Sequence, residues 1–195
     1  MNKELSLQQV TKVIGLASAK STQTLAKEMA LNAEPEGTLV LAEQQTAGRG
    51  RYERHFSSAR GGIYFTLILR PYKPASCNAS LSVRTGQAVA HTLSSLFGIR
   101  TKIKLPNDVL AWDPKARRWK KICGILIETA AGETTNYWVL VGVGININNR
   151  LPAALKETAV NLKQLIGMEA DRELFLEKLL ENFWKEYACW QVSCR

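Results

Sequence analysis

Two glycines alternate with two arginines in the run Gly48-Arg49-Gly50-Arg51, a combination of residue types suited to holding an anion. Glycine lets the backbone bend sharply and approach a ligand closely. Arginine keeps its charge and presents a planar fork of donors that matches phosphate or carboxylate oxygens. The run follows the continuously apolar segment Thr38–Ala42 and a short polar stretch. This order predicts an anion-binding loop just beyond a buried strand.

Four other stretches place reactive or ligand-binding residue types near the ends of predicted elements. Lys104-Leu105-Pro106-Asn107-Asp108 brings a cation, an amide and a carboxylate within five residues. A lysine three positions before a glycine opens the strand-like run 121–128. Two glycines interrupt the apolar run 141–148, and such glycines often mark close approach of a ligand or backbone. Ser21-Thr22-Gln23 offers hydroxyl and amide groups at a predicted helix start.

Composition and missing signatures narrow the chemistry. The chain has 195 residues and a formal net charge of +9, which suits phosphorylated, nucleic-acid or acidic partners without choosing among them. It contains no GxxxxGK[ST] loop, GxSxG, HExxH or CxxC pair, so a Walker-type site, a serine hydrolase and a dedicated metal site are not predicted. No apolar run reaches the ~20 residues that span a bilayer, and no signal peptide is evident. A cytoplasmic protein with reduced cysteines is therefore expected.

Apolar periodicity predicts helices toward both ends of the chain and strands in its middle. The predicted helices cover residues 5–19, 21–29, 78–98 and 171–190, with Ser21 to Thr24 offering N-cap hydroxyls and Asp171 capping the last. The predicted strands cover residues 38–42, 63–69, 100–105, 122–129 and 137–147, with hairpins near 115–120 and 131–133. Because the strands do not alternate regularly with helices, the pattern indicates an α+β domain.

The ordered combination of these motifs resembles a known family. Gln45-Thr46-Ala47-Gly48-Arg49-Gly50-Arg51, then Lys-x-Pro-Asn-Asp, Lys-x-x-Gly-Ile-Leu-x-Glu and Gly-x-Gly-Ile-Asn, is similar to the catalytic domain of biotin protein ligases, also called biotin–[acetyl-CoA-carboxylase] ligases. The similarity runs over residues 21–148. It implies a mixed, largely antiparallel sheet with helices packed mainly on one face, the fold shared with class II aminoacyl-tRNA synthetases and lipoate ligases. The family pattern differs here at Gln23, Glu53, Leu105 and Phe56.

The resemblance implies a two-step ligase reaction that uses ATP and Mg²⁺. The biotin carboxylate attacks the α-phosphorus of ATP, which releases pyrophosphate and leaves biotinyl-5′-AMP. A lysine of the biotin carboxyl carrier protein of a carboxylase then attacks the acyl carbon and releases AMP. Fixed cations offset the repulsion between the two anions that meet in the first step. The loop 48–60 is hypothesised to be mobile when empty and to order over the water-sensitive anhydride.

By the same resemblance, each motif supplies residues to the site. The catalytic residues are Arg49, Arg51, Lys121 and Asp108, the last placing Mg²⁺ or orienting the carrier lysine. The residues that hold biotin are Ser21, Thr22, Gln23, Gln45, Gly48, Arg49, Lys121 and Gly124. The residues that hold ATP or the adenylate are Arg49, Arg51, Arg54, Phe56, Lys104, Asn107 and Asn146. Uncharged groups match the ureido ring of biotin, and cations match its carboxylate and the phosphates.

The expected extent is a single catalytic domain, residues 1–195, without an amino-terminal DNA-binding domain or a carboxy-terminal β-barrel domain. DNA and membrane partners are not expected, and a homodimer is left open. Two alternatives remain. A lipoate or octanoate ligase or transferase of the same fold would need a pocket for an alkyl chain. A basic binding module without catalysis would bind nucleic acid with a steep salt dependence.

Overall fold

The computed structural model describes residues 9–72, 77–130 and 137–193. Within them the strands are β1 Lys12–Leu16, β2 Thr38–Ala42, β3 Ile63–Leu69, β4 Thr101–Lys104, β5 Asp108–Asp113, β6 Arg118–Ala130 and β7 Trp138–Ile145. The α-helices are α1 Thr22–Leu31, α2 Asn78–Phe97, α3 Leu162–Ile166 and α4 Arg172–Ser193.

All of these strands form one sheet in the order β1-β2-β3-β7-β6-β5-β4. β1 and β2 run parallel, whereas the other neighbouring pairs among the described strands are antiparallel. β2 and β3 are buried along their whole lengths, as their continuous apolar runs predict. The sheet confirms the predicted α+β class with a largely antiparallel order.

Helices cover the two faces of the sheet unequally. α2 and α4 pack on each other and on one face, in a core that includes Phe65, Val141 and Phe175. α1 packs on the opposite face over a smaller core around Val40 and Leu140. The neighbouring strand residues belong to different cores because successive side chains point to opposite faces. Helices therefore pack mainly on one face, as predicted.

The helix predicted over residues 5–19 is wrong where the structure describes it. Lys12–Leu16 is an edge strand that pairs in parallel with β2, and residues 1–8 lie outside the described part of the chain. Val13 and Ile14 are β-branched and Gly15 is a poor helix former, so local preference favours the strand. The edge of β2 then supplies the backbone hydrogen bonds that a helix would otherwise provide.

The other predicted helices and strands are confirmed, with shifted ends except for β2 and β3. α2 stops at Gly98, which has the left-handed φ of 65° expected of a helix-ending glycine. Asp171 Oδ1 accepts hydrogen bonds from the backbone of Glu173 and Leu174 at 2.9 and 3.1 Å, so it caps α4 as predicted. β5 and α3 were not predicted, because both are short and lack clear periodicity. The hairpin predicted at 131–133 lies outside the described residues.

Of the helices that the structure describes, none combines the length and apolar character that a membrane crossing requires.

Candidate active site

A cavity of about 330 Å³ opens on the face of the sheet that carries α1. Its walls come from the first turn of α1, the loop that follows β2, the β4–β5 connection and the strands β3, β6 and β7. Most site residues predicted from the sequence line it: Ser21, Thr22, Gln23, Gln45, Arg49, Arg51, Arg54, Phe56, Lys104, Asn107, Asp108, Lys121 and Gly124. Gly48 and Asn146 are predicted site residues that do not line it.

Three glycines form the floor of the cavity. Gly142 and Gly144 face the same side of β7, and Gly124 of β6 pairs directly opposite Gly144. A Cβ atom at Gly144 would lie 2.6 Å from Cε1 of Phe56, and one at Gly124 would lie 3.0 Å from Phe56 Cε2 and from Lys121 Nζ. A side chain at either position would therefore displace the Phe56 ring or the Lys121 side chain, which lie directly on the strand backbone.

Neutral hydrogen-bonding groups line one end of the cavity. Gln45 Oε1 accepts hydrogen bonds from the Thr22 backbone nitrogen at 2.8 Å and from the Thr22 hydroxyl at 3.2 Å. Gln45 Nε2 donates to the Ser58 hydroxyl at 2.8 Å. These bonds fix the amide of Gln45 between α1 and the loop. The Gln45, Thr22 and Ser58 groups that form these bonds carry no formal charge.

Thr66 of β3 extends this network into the sheet. Its hydroxyl lies 3.0 Å from the Thr22 hydroxyl and 3.1 Å from Gln23 Oε1. Gln23 Nε2 donates to the Leu140 carbonyl at 3.4 Å. Thr66 and Gln23 are buried, with 0% and 3% of their surface exposed. Burial makes loss of any one bond costly, so the network holds the first turn of α1 in one arrangement.

The Ser21 hydroxyl does not cap α1, contrary to the prediction from the sequence. Ser21 stands at the N-cap position of α1, but its side chain makes no capping hydrogen bond. Its hydroxyl is buried, lines the cavity and has no hydrogen-bond partner among the described residues. Buried hydroxyls are normally paired, so the Ser21 hydroxyl is available to a polar ligand group in the cavity.

A lysine and a carboxylate meet at another part of the wall. Lys121 Nζ lies 2.6 Å from Asp108 Oδ1, a close ion contact without hydrogen-bond alignment. The side chains keep 32% and 22% of their surface exposed. The same ammonium lies 5.6 Å from the centre of the Phe56 ring. This end therefore presents a fixed cation beside an apolar ring, with Asp108 as its counter-charge.

A β-bulge in β6 aims Lys121 into the cavity. Val109 pairs with Cys123, but Leu110 pairs with Lys121, so Ile122 is the extra residue on β6. Residues three apart on a regular strand point to opposite faces, whereas the bulge brings Lys121 to the same side as Gly124. The Lys121 backbone bonds instead to the Thr158 carbonyl at 2.8 Å. Lys121 and Gly124, which are three residues apart, can therefore face the same side only because the strand is irregular between them.

The Gly/Arg loop, residues 48–60, folds back on itself over the cavity. Gly50 N donates to the Arg54 carbonyl at 2.7 Å, and Phe56 N donates to the Gly48 carbonyl at 2.8 Å. A Cβ atom at Gly48 would collide with the Phe56 carbonyl oxygen and with Ser58 Oγ, so Gly48 is packed at the base of the loop. It does not line the cavity. The Arg51 guanidinium lies 5.0 Å from the Tyr52 ring and donates to its hydroxyl at 3.1 Å.

The two asparagines predicted to contact the adenylate occupy different positions. Asn107 lines the cavity and donates from Nδ2 to the Ile125 carbonyl at 3.0 Å. Asn146 is buried beyond the end of β7, where its Oδ1 accepts from Asn149 Nδ2 at 3.1 Å. Asn161 then donates to the Asn149 carbonyl at 2.7 Å. In this arrangement Asn146 joins β7 to the segment that leads into α3.

Two protonatable groups next to the cavity are held neutral. Burial raises the pKa of the Tyr64 hydroxyl above its usual range although the Arg172 charge opposes this, and the hydroxyl donates to the Ala59 carbonyl at 2.7 Å. Burial also raises the pKa of the Cys123 thiol, which belongs to the main core. Neither group is therefore a candidate nucleophile at neutral pH.

Sequence reasoning missed Thr66 and Ser58 as parts of the site. The signal available was Thr66 itself, a hydroxyl residue in the otherwise largely apolar strand β3, because a buried hydroxyl needs a partner. Ser58 had no comparable signal. Its contact with Gln45 depends on the fold of the loop, which brings together residues 13 positions apart.

Comparisons with known proteins agree with this geometry. Residues 15–146 match the model of the biotin/lipoate A/B protein ligase family. The bifunctional ligase/repressor BirA of Bacillus subtilis is 42% identical over 171 residues, which cover 86% of this chain and 51% of that protein. The biotin–[acetyl-CoA-carboxylase] ligase of Mycobacterium tuberculosis is 30% identical over 184 residues, which cover 92% of this chain and 64% of that protein. The chain thus spans between about half and two thirds of the length of these relatives.

A solved structure of the biotin protein ligase from Aquifex aeolicus, in complex with biotin and ATP, superposes with a TM-score of 0.79. It is 30% identical, and the match covers 94% of this chain and 73% of that one. The family match extends over more than half of the chain and includes all of the predicted site residues. The relatives from Mycobacterium tuberculosis and Aquifex aeolicus are named biotin ligases, and the chain belongs to the biotin/lipoate A/B protein ligase family.

Proposed function

We propose that this protein is a biotin protein ligase. In the first reaction a carboxylate oxygen of biotin forms a bond to the α-phosphorus of ATP, and the bond to the β-phosphate oxygen breaks to release pyrophosphate. In the second reaction a carrier lysine amine attacks the acyl carbon of biotinyl-5′-AMP. The bond to the phosphate oxygen breaks, AMP leaves, and the amine proton passes to solvent.

The observation that carries this proposal is the chemical difference between the two parts of one cavity. Ser21, Thr22 and Gln45 offer uncharged donors and acceptors, which match a ureido ring. Lys121 and Arg51 offer charge, which matches a carboxylate and phosphates. Because the glycine floor has no side chains, a flat, partly apolar ligand can lie on the strand backbone between them once the Phe56 ring moves aside.

In this proposal Lys121 is the cation nearest the reacting carboxylate and α-phosphate. Its ammonium is held by Asp108, so it does not need to reorganise when charge develops on the phosphate oxygens. Arg51 and Arg54 lie on the loop above it, and among the described side chains no carboxylate pairs with either. Phe56 covers the site from the loop side and helps exclude water from the anhydride.

Magnesium would arrive with ATP. The described residues contain no cluster of three or more side chains able to hold a metal ion. A single cavity carboxylate, Asp108, fits a Mg²⁺ ion that keeps most of its ligands as phosphate oxygens and waters. When bound, such an ion would neutralise phosphate charge. The family resemblance supports a biotin carboxyl carrier protein as the acceptor and leaves a homodimer open.

The test is mass spectrometry of a carboxylase carrier domain after incubation with this protein, biotin and Mg·ATP. One biotinyl group on one carrier lysine, dependent on ATP, is the expected result. Parallel reactions replace biotin with lipoate or octanoate, because the family includes lipoate ligases. Transfer of an alkyl acid but not of biotin would overturn the assignment, as would release of no pyrophosphate with any of the three acids.

A further inference from the structure

A bidentate ion pair joins the Gly/Arg loop to β6. Arg49 Nη1 donates to Glu128 Oε2 at 3.2 Å, and Arg49 Nη2 donates to Glu128 Oε1 at 2.9 Å. The two side chains keep 40% and 28% of their surface exposed. The parallel arrangement of two donors and two acceptors fixes the orientation of the guanidinium as well as its position.

This pair lies away from Lys121 along β6. Gly124 and Glu128 face the same side of β6, and a rise of ~3.3 Å per residue separates them by about 13 Å. Lys121 Nζ lies beside Gly124. The resemblance implies that Arg49 and Lys121 act together on the carboxylate and phosphates. In the structure, however, the Arg49 guanidinium is bound by Glu128.

The backbone connects the same pair to the Phe56 ring. Arg49 forms an isolated antiparallel bridge with His55, the residue directly before Phe56. Gly48 and Phe56 are joined by a backbone hydrogen bond of 2.8 Å. Fixing Arg49 on Glu128 therefore also fixes the arm of the loop whose Phe56 ring covers Gly124 and Gly144.

We propose that Glu128 is a positioning residue that holds the Gly/Arg loop closed over the cavity through Arg49. Arg51, Arg54 and Lys121 then remain as the cations for the reacting groups. This inference rests on the proposed ligase function for its effect on the intermediate. Its effect on the loop itself is independent of any reaction.

The first test measures loop protection without ligands. Trypsin cleavage after Arg51 and Arg54 reports opening of the loop, since cleavage requires locally unfolded backbone. Glu128→Gln is expected to speed this cleavage about fivefold, the ratio that a well-formed exposed ion pair supports. Added salt should speed cleavage of the wild type and leave the variant nearly unchanged. Glu157→Gln is the matched control, because Glu157 pairs with Arg118 at 2.8 Å outside the cavity.

The charge-reversed double variant Arg49→Glu/Glu128→Arg tests the pairing directly. It should restore slow cleavage if opposite charges at these two positions hold the loop. Wild-type cleavage rates in Glu128→Gln, or rates in the wild type that do not respond to salt, would overturn the proposal. So would rapid cleavage of a double variant that melts at the wild-type temperature. The salt series uses the unmodified chain, so it decides the matter even if a variant fails to fold.

The second test measures retention of the intermediate. Without carrier, Glu128→Gln should lose bound biotinyl-5′-AMP about fivefold faster than the wild type and raise KM for biotin more than it lowers kcat for pyrophosphate release. An unchanged lifetime would refute the role in retention. If the wild type forms no adenylate at all, the proposed function fails, and the trypsin and salt experiments still test the loop contact.

Discussion

Gly142→Ala is the perturbation whose effect follows most directly from the geometry. The added methyl group would lie inside 3.0 Å of Gln23 Oε1 and 3.2 Å from its Cδ. Contacts this close do not occur, so the Gln23 amide must move. It is 3% exposed and is held by the Thr66 hydroxyl and the Leu140 carbonyl. Movement therefore breaks at least one buried hydrogen bond.

The cost can be estimated from these bonds. A buried amide that loses its partner costs about 1–3 kcal/mol. The Thr66 hydroxyl also contacts Thr22, whose backbone nitrogen and hydroxyl bind Gln45. Part of the cost is therefore expected at the neutral end of the cavity. We expect Gly142→Ala to lose about 2 kcal/mol of stability and to raise KM for biotin roughly tenfold, with a smaller change in KM for ATP.

The assay combines urea unfolding with pyrophosphate release at varied biotin and ATP concentrations. Gly15→Ala is the matched control, because a Cβ at Gly15 would meet nothing within 4 Å and the change also adds one methyl group to a strand. That variant should keep wild-type values. If Gly142→Ala bound biotin as the wild type does, or changed KM for ATP as strongly as KM for biotin, the assigned neutral end would be wrong.

Two neighbouring lysines separate catalysis from stability. Lys121→Met should lower kcat for adenylate formation about 100-fold, because it removes a preorganised cation. Lys120→Met should leave kcat near wild type but cost about 3 kcal/mol of stability, because Lys120 pairs with Asp113 at 3.1 Å and the side chains are only 11% and 13% exposed. Equal losses of kcat in both variants, measured by pyrophosphate release, would contradict the assignment of catalysis to Lys121 and of stability to Lys120. Burial raises the pKa of Asp113, but hydrogen bonds from the Ala116 backbone and from Lys120 outweigh it, so the pKa lies below its usual value. A carboxyl whose pKa is lower when folded stabilises the protein above about pH 4, and this contribution is lost as the pH falls through the folded pKa. Asp113→Asn should therefore be less stable than the wild type at pH 7 and lose less stability between pH 4 and 2, as urea midpoints across that range would reveal; parallel curves would refute it.

Local sequence predicted the parts of the fold that depend on local preference. The buried strands Thr38–Ala42 and Ile63–Leu69 have the predicted ends, because continuous apolar residues between turn signals leave few alternatives. The Gly98 and Asp171 signals depend on backbone geometry within a few residues. The apolar spacing over residues 5–19 predicts a helix although Val13 and Ile14 locally favour a strand, and pairing with the distant strand β2 decides the outcome.

The candidate site divides along the same line. Motifs at Gly48–Arg51, Lys104–Asp108 and residues 121–128 carry the family resemblance, and that resemblance implied most of the residues around the cavity. The motif spacing did not show that Asn146 would be buried against Asn149. It also did not show that the Ser21 hydroxyl, which the resemblance places at biotin, would leave α1 without a side-chain cap.

By itself, the sequence determined which residue types are present and which chemistry they can perform: glycines for close approach, fixed cations for anions, and neutral amides for a neutral ring. The tertiary structure decided where each charge lies. The bulge at Ile122 turns Lys121 toward Gly124. Arg49 meets Glu128, 79 residues along the chain. Strand register and long-range ion pairs depend on contacts between distant segments, which no local pattern of residues specifies.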